Sequence, residues 1–291
     1  MKFVRACSFL AFQLCLSAFA ICTLAVSTNF KENFEVSWAP TNVKFLGTEA
    51  LQLVLDQSTG SGFASKESYL FGNIDMQIKL VPGDSAGTVT AYYLSSDGAQ
   101  HDELDFEFLG NSTGQPYVLQ TNVFSTGVGG REQRITLWFD PTQGFHTYSV
   151  NWSAKRVVFL VDGVPIRVFS NNEVVGVPFL KSQPMRVFSS IWNGDSWATR
   201  GGLDKINWAH APFVATYRNF RVVNACLAST PATAAACANS AASNHISTTS
   251  GAAASFDRSK LEWVKKNFMV YDYCSDSARY NPAPAECSRE F

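Results

Sequence analysis

The sequence predicts an all-β domain, an antiparallel sandwich or barrel, on three observations. Short runs alternate apolar and polar residues, turn residues separate those runs, and no strand–helix–strand rhythm or fixed-period repeat runs through them. The chain has 291 residues, 46% of them apolar, enough for a sizeable core. Its net charge is -1, with Lys and Arg scattered. That distribution argues against a nucleic-acid partner and suits a polar, largely uncharged one.

The chain opens with Lys2 and Arg5, followed by an apolar run from Ala6 to about Ala25. Small residues at Ala18, Ala20, Ala25 and Ser27 offer cleavage points. This pattern predicts a signal peptide over residues 1–25, cut between about 20 and 28, and hence a secreted protein. The alternative is a membrane anchor, since the run is nearly long enough to span. No later segment has the length and apolarity to cross a bilayer, so no membrane partner is expected.

Residues 28–224 are expected to form the sandwich. Alternation is visible in LQLVL (51–55), NIDMQIKLV (73–81) and HTYSVNW (146–152). RVVFLVDGVPIRVF (156–169) reads as two strands joined by Asp162-Gly163, a hairpin signal. Beyond Cys226 the composition changes, and residues 225–291 read as an extension. Residues 228–256, rich in Ala, Ser and Thr, are expected to be an irregular surface connection. SKLEWVKKNF predicts a helix, with Ser259 and Glu262 as a capping box and Leu261, Val264 and Phe268 on one face.

Cys7, Cys15 and Cys22 leave with the signal, and Cys226, Cys237, Cys274 and Cys287 remain. An even number in a secreted chain predicts two disulfides, with three possible pairings. Pairing nearest neighbours closes two short loops, and the bridges would fasten the extension to the sandwich. No Cys-x-x-Cys or His pair suggests a metal, and no cofactor is expected. Of the four histidines, His101 lies beside acids, while His146, His210 and His245 have no partners recognisable in sequence.

HDELDFEFLGN (101–111) carries the chemistry. Side chains alternate along a strand, so Glu103, Asp105 and Glu107 share one face and Leu104, Phe106 and Phe108 the other. A solvated edge strand leaves unexplained why acids alone fill three successive outward positions. Crowded carboxylates separate in protonation, because the second charge is costly beside the first. One ionised and one protonated acid suit glycoside hydrolysis. Asp105, between them, can hold shared hydrogen bonds. The Cα atoms of residues 103 and 107 stand ~13 Å apart at ~3.3 Å per residue. Inward-leaning side chains can then reach the ~5–5.5 Å of a retaining pair, and an inverting spacing also fits.

HDELDFEFLGN resembles the active-site strand of the xyloglucan endotransglucosylase/hydrolases, plant cell-wall enzymes of glycoside hydrolase family 16. GQPYVLQTNVF (114–124), REQRITLWFDPT (131–142), FHTYSVNW (145–152), VDGVPIR (161–167) and IWNGDSWATRGG (191–202) are similar to family segments, in family order. The resemblance covers essentially the whole mature chain, with Leu104 where the family has Ile. It implies a concanavalin-like β-jelly-roll sandwich with a small disulfide-bonded C-terminal extension containing a helix. The terminal cysteines fit the family too, as Cys226–Cys237 and Cys274–Cys287. It implies a retaining transglycosylase with Glu103 as nucleophile, Glu107 as acid/base and Asp105 assisting. The substrates implied are xyloglucan donor and acceptor chains, and a monomer would suffice.

Trp192 and Trp197 flank a turn-rich stretch, and sugar sites need aromatic platforms. Trp197, in a loop-like context, is the better platform; Trp192, ending RVFSSIW, is open to the plainer reading of a core filler. Gln120 and Asn122 share a face and suit sugar hydroxyls, or cross-strand bonding on an exposed face. The family resemblance implies substrate contacts at Glu107, Gln120, Thr121, Asn122, Gly130, Arg131, Glu132, Trp197, Ala198, Gly202 and Arg279. It also implies a glycan on Asn111 of the sequon Asn111-Ser112-Thr113; a second sequon begins at Asn151, within a strand. DSWATRGG resembles the transferase-dominant members, with a xyloglucan-specific hydrolase as the alternative in the same family. A non-catalytic glucan-binding sandwich would need the tryptophans but not three aligned acids.

Overall fold

The computed structural model describes residues 29–239 and 257–289; the predicted signal segment and His245 lie outside them. The chain opens on a short helix, α1 (Phe30–Asn33). In chain order the strands are β1 (Phe34–Trp38), β2 (Val43–Leu46), β3 (Ala50–Leu55), β4 (Ser61–Leu70), β5 (Gly72–Lys79), β6 (Thr88–Ser95), β7 (Glu103–Leu109), β8 (Val118–Phe124), β9 (Gln133–Thr136), β10 (His146–Trp152), β11 (Arg156–Val161), β12 (Val164–Ser170), β13 (Met185–Asn193), β14 (Phe213–Val223), β15 (Cys226–Leu227) and β16 (Met269–Asp272). They form two antiparallel sheets packed face to face. One runs β1-β4-β13-β6-β7-β8-β9-β16, with β15 also on β4; the other runs β12-β11-β10-β5-β14-β3-β2.

The two inner faces supply the core, as alternation requires. Leu104, Phe106 and Phe108 of β7 are fully buried. Phe106 meets Phe159 at 5.2 Å and Phe108 meets Tyr148 at 4.6 Å between ring centroids, both edge to face. Each such side chain contributes roughly 1.5–3 kcal/mol on burial. These contacts clamp β7 to the second sheet and turn its odd-numbered residues outward. The β11–β12 hairpin turns at Asp162 (φ 48°) and Gly163 (φ 75°). Positive φ at both central residues is what a two-residue turn matched to strand twist needs.

The C-terminal region differs from expectation in four ways. Residues Pro231–Ala238 form a helix, α2, where an irregular connection was expected. Thr230 caps it in a reciprocal pair with Thr233, Pro231 takes the first turn, and the alanines cost little to order. The helix α3 (Arg258–Phe268) exists, but Asp257, not Ser259, is its cap, accepting from the Ser259 and Lys260 amides. A carboxylate two residues earlier reaches two of the orphan donors, so the Ser259–Glu262 box is not formed. Leu261 and Val264 are buried as expected, and Phe268 packs against Trp138. Third, the disulfides pair as expected, Cys226–Cys237 and Cys274–Cys287, but only the first reaches the sandwich, through Cys226 on β15 beside β4; the second closes a loop within the extension. Fourth, MVYD forms β16, which pairs with β9 and continues the first sheet.

Candidate active site

Strand β7 lies at the middle of the first sheet, between β6 and β8. Cross-strand register sets its neighbours. Asp105 stands opposite Tyr93 on β6 and Asn122 on β8; Glu107 stands opposite Ala91 and Gln120. Directly opposed residues share a face. The outer face therefore carries Glu103, Asp105 and Glu107 in a row, with Gln120 and Asn122 alongside. These residues line a cleft of about 410 Å³, together with Tyr93, Phe124, Glu132, Ser190, Trp192 and Trp197.

The three acids have distinct environments. Asp105 is buried, and its pKa is raised well above the ordinary 3.8 by burial first, then by the charges of Glu103 and Glu107. It shares a hydrogen bond with Glu103. A neutral Asp105 donates that bond and leaves Glu103 as the acceptor. Glu107 is half-buried, and burial again comes first in raising its pKa above 4.5, with Glu103 adding to it. Gln120 opposes the rise: its Nε2 donates to Glu107 Oε2 at 2.5 Å. Arg134 Nε in turn donates to Gln120 Oε1 at 2.6 Å, which fixes the amide's orientation. His101 lies 3.8 Å from Glu103 Oε2 and stacks on Phe124.

Charge also reaches the site from below. Arg167 of β12 crosses the sandwich fully buried, and its Nη1 donates to the Thr121 carbonyl at 2.8 Å and hydroxyl at 3.0 Å. Its positive charge lowers the pKa of Asp105, against the larger effect of burial. Sequence reading missed Arg167, Arg134 and Tyr93. Alternation assigns a face to each but not the strand it lies against. Asp102 was also passed over; it is buried off the cleft, accepts from the Thr126 amide at 2.9 Å and has its pKa raised by burial.

The predicted binding residues divide into groups. Glu107, Gln120, Asn122, Glu132 and Trp197 line the cleft. Trp192 lines it too, against the plainer reading that it fills the core: on β13 it alternates outward between buried Ile191 and the turn. Ala198 is buried in an apolar cluster with Val89 and Leu109, against which Trp192 and Trp197 pack. Gly202 has φ 85°, and a Cβ there would meet the Ser196 carbonyl at 2.6 Å, so it closes the loop that carries Trp197. Thr121 faces the core, held by Arg167. Arg131 is buried, with Nε on Glu286 Oε1 at 2.7 Å, and its backbone amide donates to Asn122 Oδ1 at 3.0 Å. The Gly130 carbonyl accepts from the Tyr280 hydroxyl. Arg279 of the extension pairs with Glu132 at 2.7 Å, at the cleft's β9 side.

His146 and His210 do have partners. His146 bonds Asp162 at 2.7 Å and stacks on Phe139, and His210 lies 3.6 Å from Asp84. The Asn111 amide donates to the Pro116 carbonyl in the loop after β7. Asn151 lies within β10, between β5 and β11.

A sheet with carboxylates in a row on its open face, flanked by tryptophans and amides, defines a glycoside hydrolase sandwich. Residues 30–210 match the family Glycosyl hydrolases family 16, and residues 252–287 match the Xyloglucan endo-transglycosylase (XET) C-terminus. The chain belongs to the xyloglucan endotransglucosylase/hydrolases of that family. It is 53% identical over 267 residues to the probable xyloglucan endotransglucosylase/hydrolase protein 16 of Arabidopsis thaliana, covering 91% of this chain and 92% of that one. It is 54% identical over 263 residues to xyloglucan endotransglucosylase protein 1 of Diospyros kaki, covering 90% and 88%. Among solved structures the Bacillus licheniformis beta-glucanase superposes with a TM-score of 0.55 at 23% identity, over 66% of this chain and 92% of that one, a likeness of fold.

Proposed function

We propose that the protein cleaves the β-1,4-glucan backbone of xyloglucan and transfers the cut chain to a xyloglucan acceptor. The observation that carries this reading is the row Glu103–Asp105–Glu107, aimed into an open cleft between Tyr93 and the two tryptophans. Glu103 attacks the anomeric carbon while Glu107 gives its proton to the leaving glycosidic oxygen. The bond to that oxygen breaks as the bond from Glu103 to the sugar forms. Asp105, kept neutral by burial and its neighbours, donates to Glu103 and orients it. Glu107, now a carboxylate steadied by Gln120, takes the proton of an acceptor 4-hydroxyl, which attacks the sugar and frees Glu103.

Gln120, Asn122, Glu132, Trp192 and Trp197 hold the sugars, with Arg279 acting beside Glu132. We place Thr121, Gly130, Arg131, Ala198 and Gly202 in supporting roles, shaping the wall rather than offering side chains to it. The protein works outside the cell in the wall as a monomer, after loss of residues 1–25, with a glycan on Asn111. Support for this is the apolar leader, the disulfides and the loop position of the sequon.

Incubation with xyloglucan and a labelled xyloglucan oligosaccharide tests the reaction. Transfer moves label into high-molecular-mass product; shrinking polymer without label uptake marks a hydrolase instead. Full activity in Glu107→Gln would overturn both. Mass analysis of the secreted protein, before and after glycan removal, locates the mature N-terminus and the sugar on Asn111.

A further inference from the structure

One line of residues crosses the open sheet at right angles to its strands, and no site residue described above explains its far end. Starting at Glu107, register leads to Ala91 on β6, Ser190 on β13, Gly62 on β4 and Trp38 on β1. The three intermediate side chains are small, so the line is a lane rather than a ridge. It ends at the sheet's edge on Trp38, which is 41% exposed. The bulge between Val36 and Trp38 sets two residues against Gly62: Trp38 pairs with it, on the face that Gly62 shares with Ser190, and Ser37 Oγ lies 3.1 Å from where a Cβ on Gly62 would stand.

A second observation fixes the ring's position. A Cβ on Gly60 would stand 2.8 Å from Trp38 Cη2 and 2.0 Å from the Ile191 carbonyl. The outer edge of the indole therefore reaches over Gly60 on the open side of β4. The neighbouring residue across from Gly60, one beyond the Ile191–Ser61 pair, is Trp192 of the cleft wall. Trp38, two strands beyond Trp192, thus extends the aromatic lining of the cleft to the sheet's edge. On this side the charges are already paired, Arg186 with Glu35 at 2.5 Å, which suits an uncharged ligand.

Resting on the reading above, we propose that Trp38 is a distal platform for a backbone sugar of the β-glucan chain. Four strand spacings of ~4.8 Å put it roughly 19 Å from the catalytic strand. An extended glucan lying along the lane spans that distance, with its apolar sugar face on the indole. The platform makes the enzyme sensitive to chain length at one end of the cleft.

The test compares Trp38→Ala and Trp38→Phe with the parent, using xyloglucan polymer, a short oligosaccharide donor and a labelled acceptor series. Trp38→Ala raises KM for long chains about five- to tenfold, the size of one lost aromatic contact, with kcat at saturation within about twofold. Trp38→Phe recovers most of the loss. A rise confined to the polymer donor assigns the platform to the donor side, and one confined to longer acceptors assigns it to the acceptor side. An Ala variant with the parental KM for every chain length overturns the proposal. Native gels containing xyloglucan read the same contact without turnover: Trp38→Ala migrates faster than the parent. That retardation separates failure of the platform from failure of the transferase reading, and an unchanged melting midpoint excludes misfolding.

Discussion

Strand β7 positions its acids by alternation, whereas the C-terminal extension positions Arg279 by charge. In β7 every second residue is anchored in the core by an apolar contact, so Glu103, Asp105 and Glu107 have one direction open to them. The extension lays its helix α3 on the sandwich, with Leu261 against Val158, Leu160 and Val168. It adds β16 to the sheet edge, then holds itself through the buried Arg131–Glu286 pair and the Arg279–Glu132 pair. The difference teaches where function tolerates change. A site built on a central strand is rigid by packing, while one built on ion pairs depends on each partner being present.

The largest effect should come from the strand. Glu107→Gln keeps the shape and loses the proton, so kcat falls roughly 10²–10⁴-fold. Glu103→Gln removes the proposed nucleophile, and no glycosyl-enzyme should form under mass spectrometry. Neither change should unfold the protein. Raised pKa values at Asp105 and Glu107 mean that the folded state holds protons more tightly than the unfolded one. The stability linked to them is full below the unfolded values near 4 and is lost as pH rises through the folded ones. Glu107→Gln and Asp105→Asn remove that loss. Melting midpoints measured at pH 4 and pH 7 should show each variant gaining on the parent at the higher pH. A loss at pH 7 would break the claim that these acids are held at a cost.

Next in size is the anchor of the extension. Arg131→Ala leaves Glu286 buried without its partner, a loss of about 3–5 kcal/mol. At roughly 2–4 °C per kcal/mol for a chain of this size, differential scanning calorimetry should register a fall of about 6–20 °C. Arg131 also donates its backbone amide to Asn122, so the cleft loosens with it. If the midpoint barely moves, charge is not what docks the extension.

These contrasts follow how far each region could be read in advance. The strand was legible because period-two alternation fixes both the core face and the site face from neighbouring letters. Asp162-Gly163 was legible because the turn needs those two residues. Trp192 was harder: its place at a strand end left two faces open until the register with β6 was known. Arg131 and Thr121 looked like binding residues because they sit in the right segments. Their side chains answer to Glu286 and Arg167, which lie 155 and 46 residues away in sequence. No local pattern carries such pairings. The α2 helix was missed because its cap is two threonines in a run that reads as low complexity.

The pH profile sharpens the comparison further. In its proposed role as acid, Glu107 starts protonated in the free enzyme, so kcat/KM should fall as pH rises through its raised pKa. Gln120 lowers that pKa by donating to the carboxylate. Gln120→Ala should therefore move the alkaline limb to higher pH while reducing the rate. A limb that moves the other way would mean that Gln120 serves the sugar and not the acid.

The smallest effect on stability belongs to Arg279. The pair with Glu132 is short, but the guanidinium is 44% exposed, so solvent screening limits it to about 0–1 kcal/mol. Arg279→Ala should shift the melting midpoint by no more than a few degrees. Its effect should appear instead at the cleft, since Glu132 lines the groove and would lose the charge that orients it. KM for the acceptor should rise while hydrolysis of the polymer in its absence stays close to parental. Arg279→Lys keeps the charge but not the two-pronged contact, and should recover only part of the loss. Equal losses with donor and acceptor would place Arg279 with the anchors of the extension, alongside Arg131, and not with the sugar.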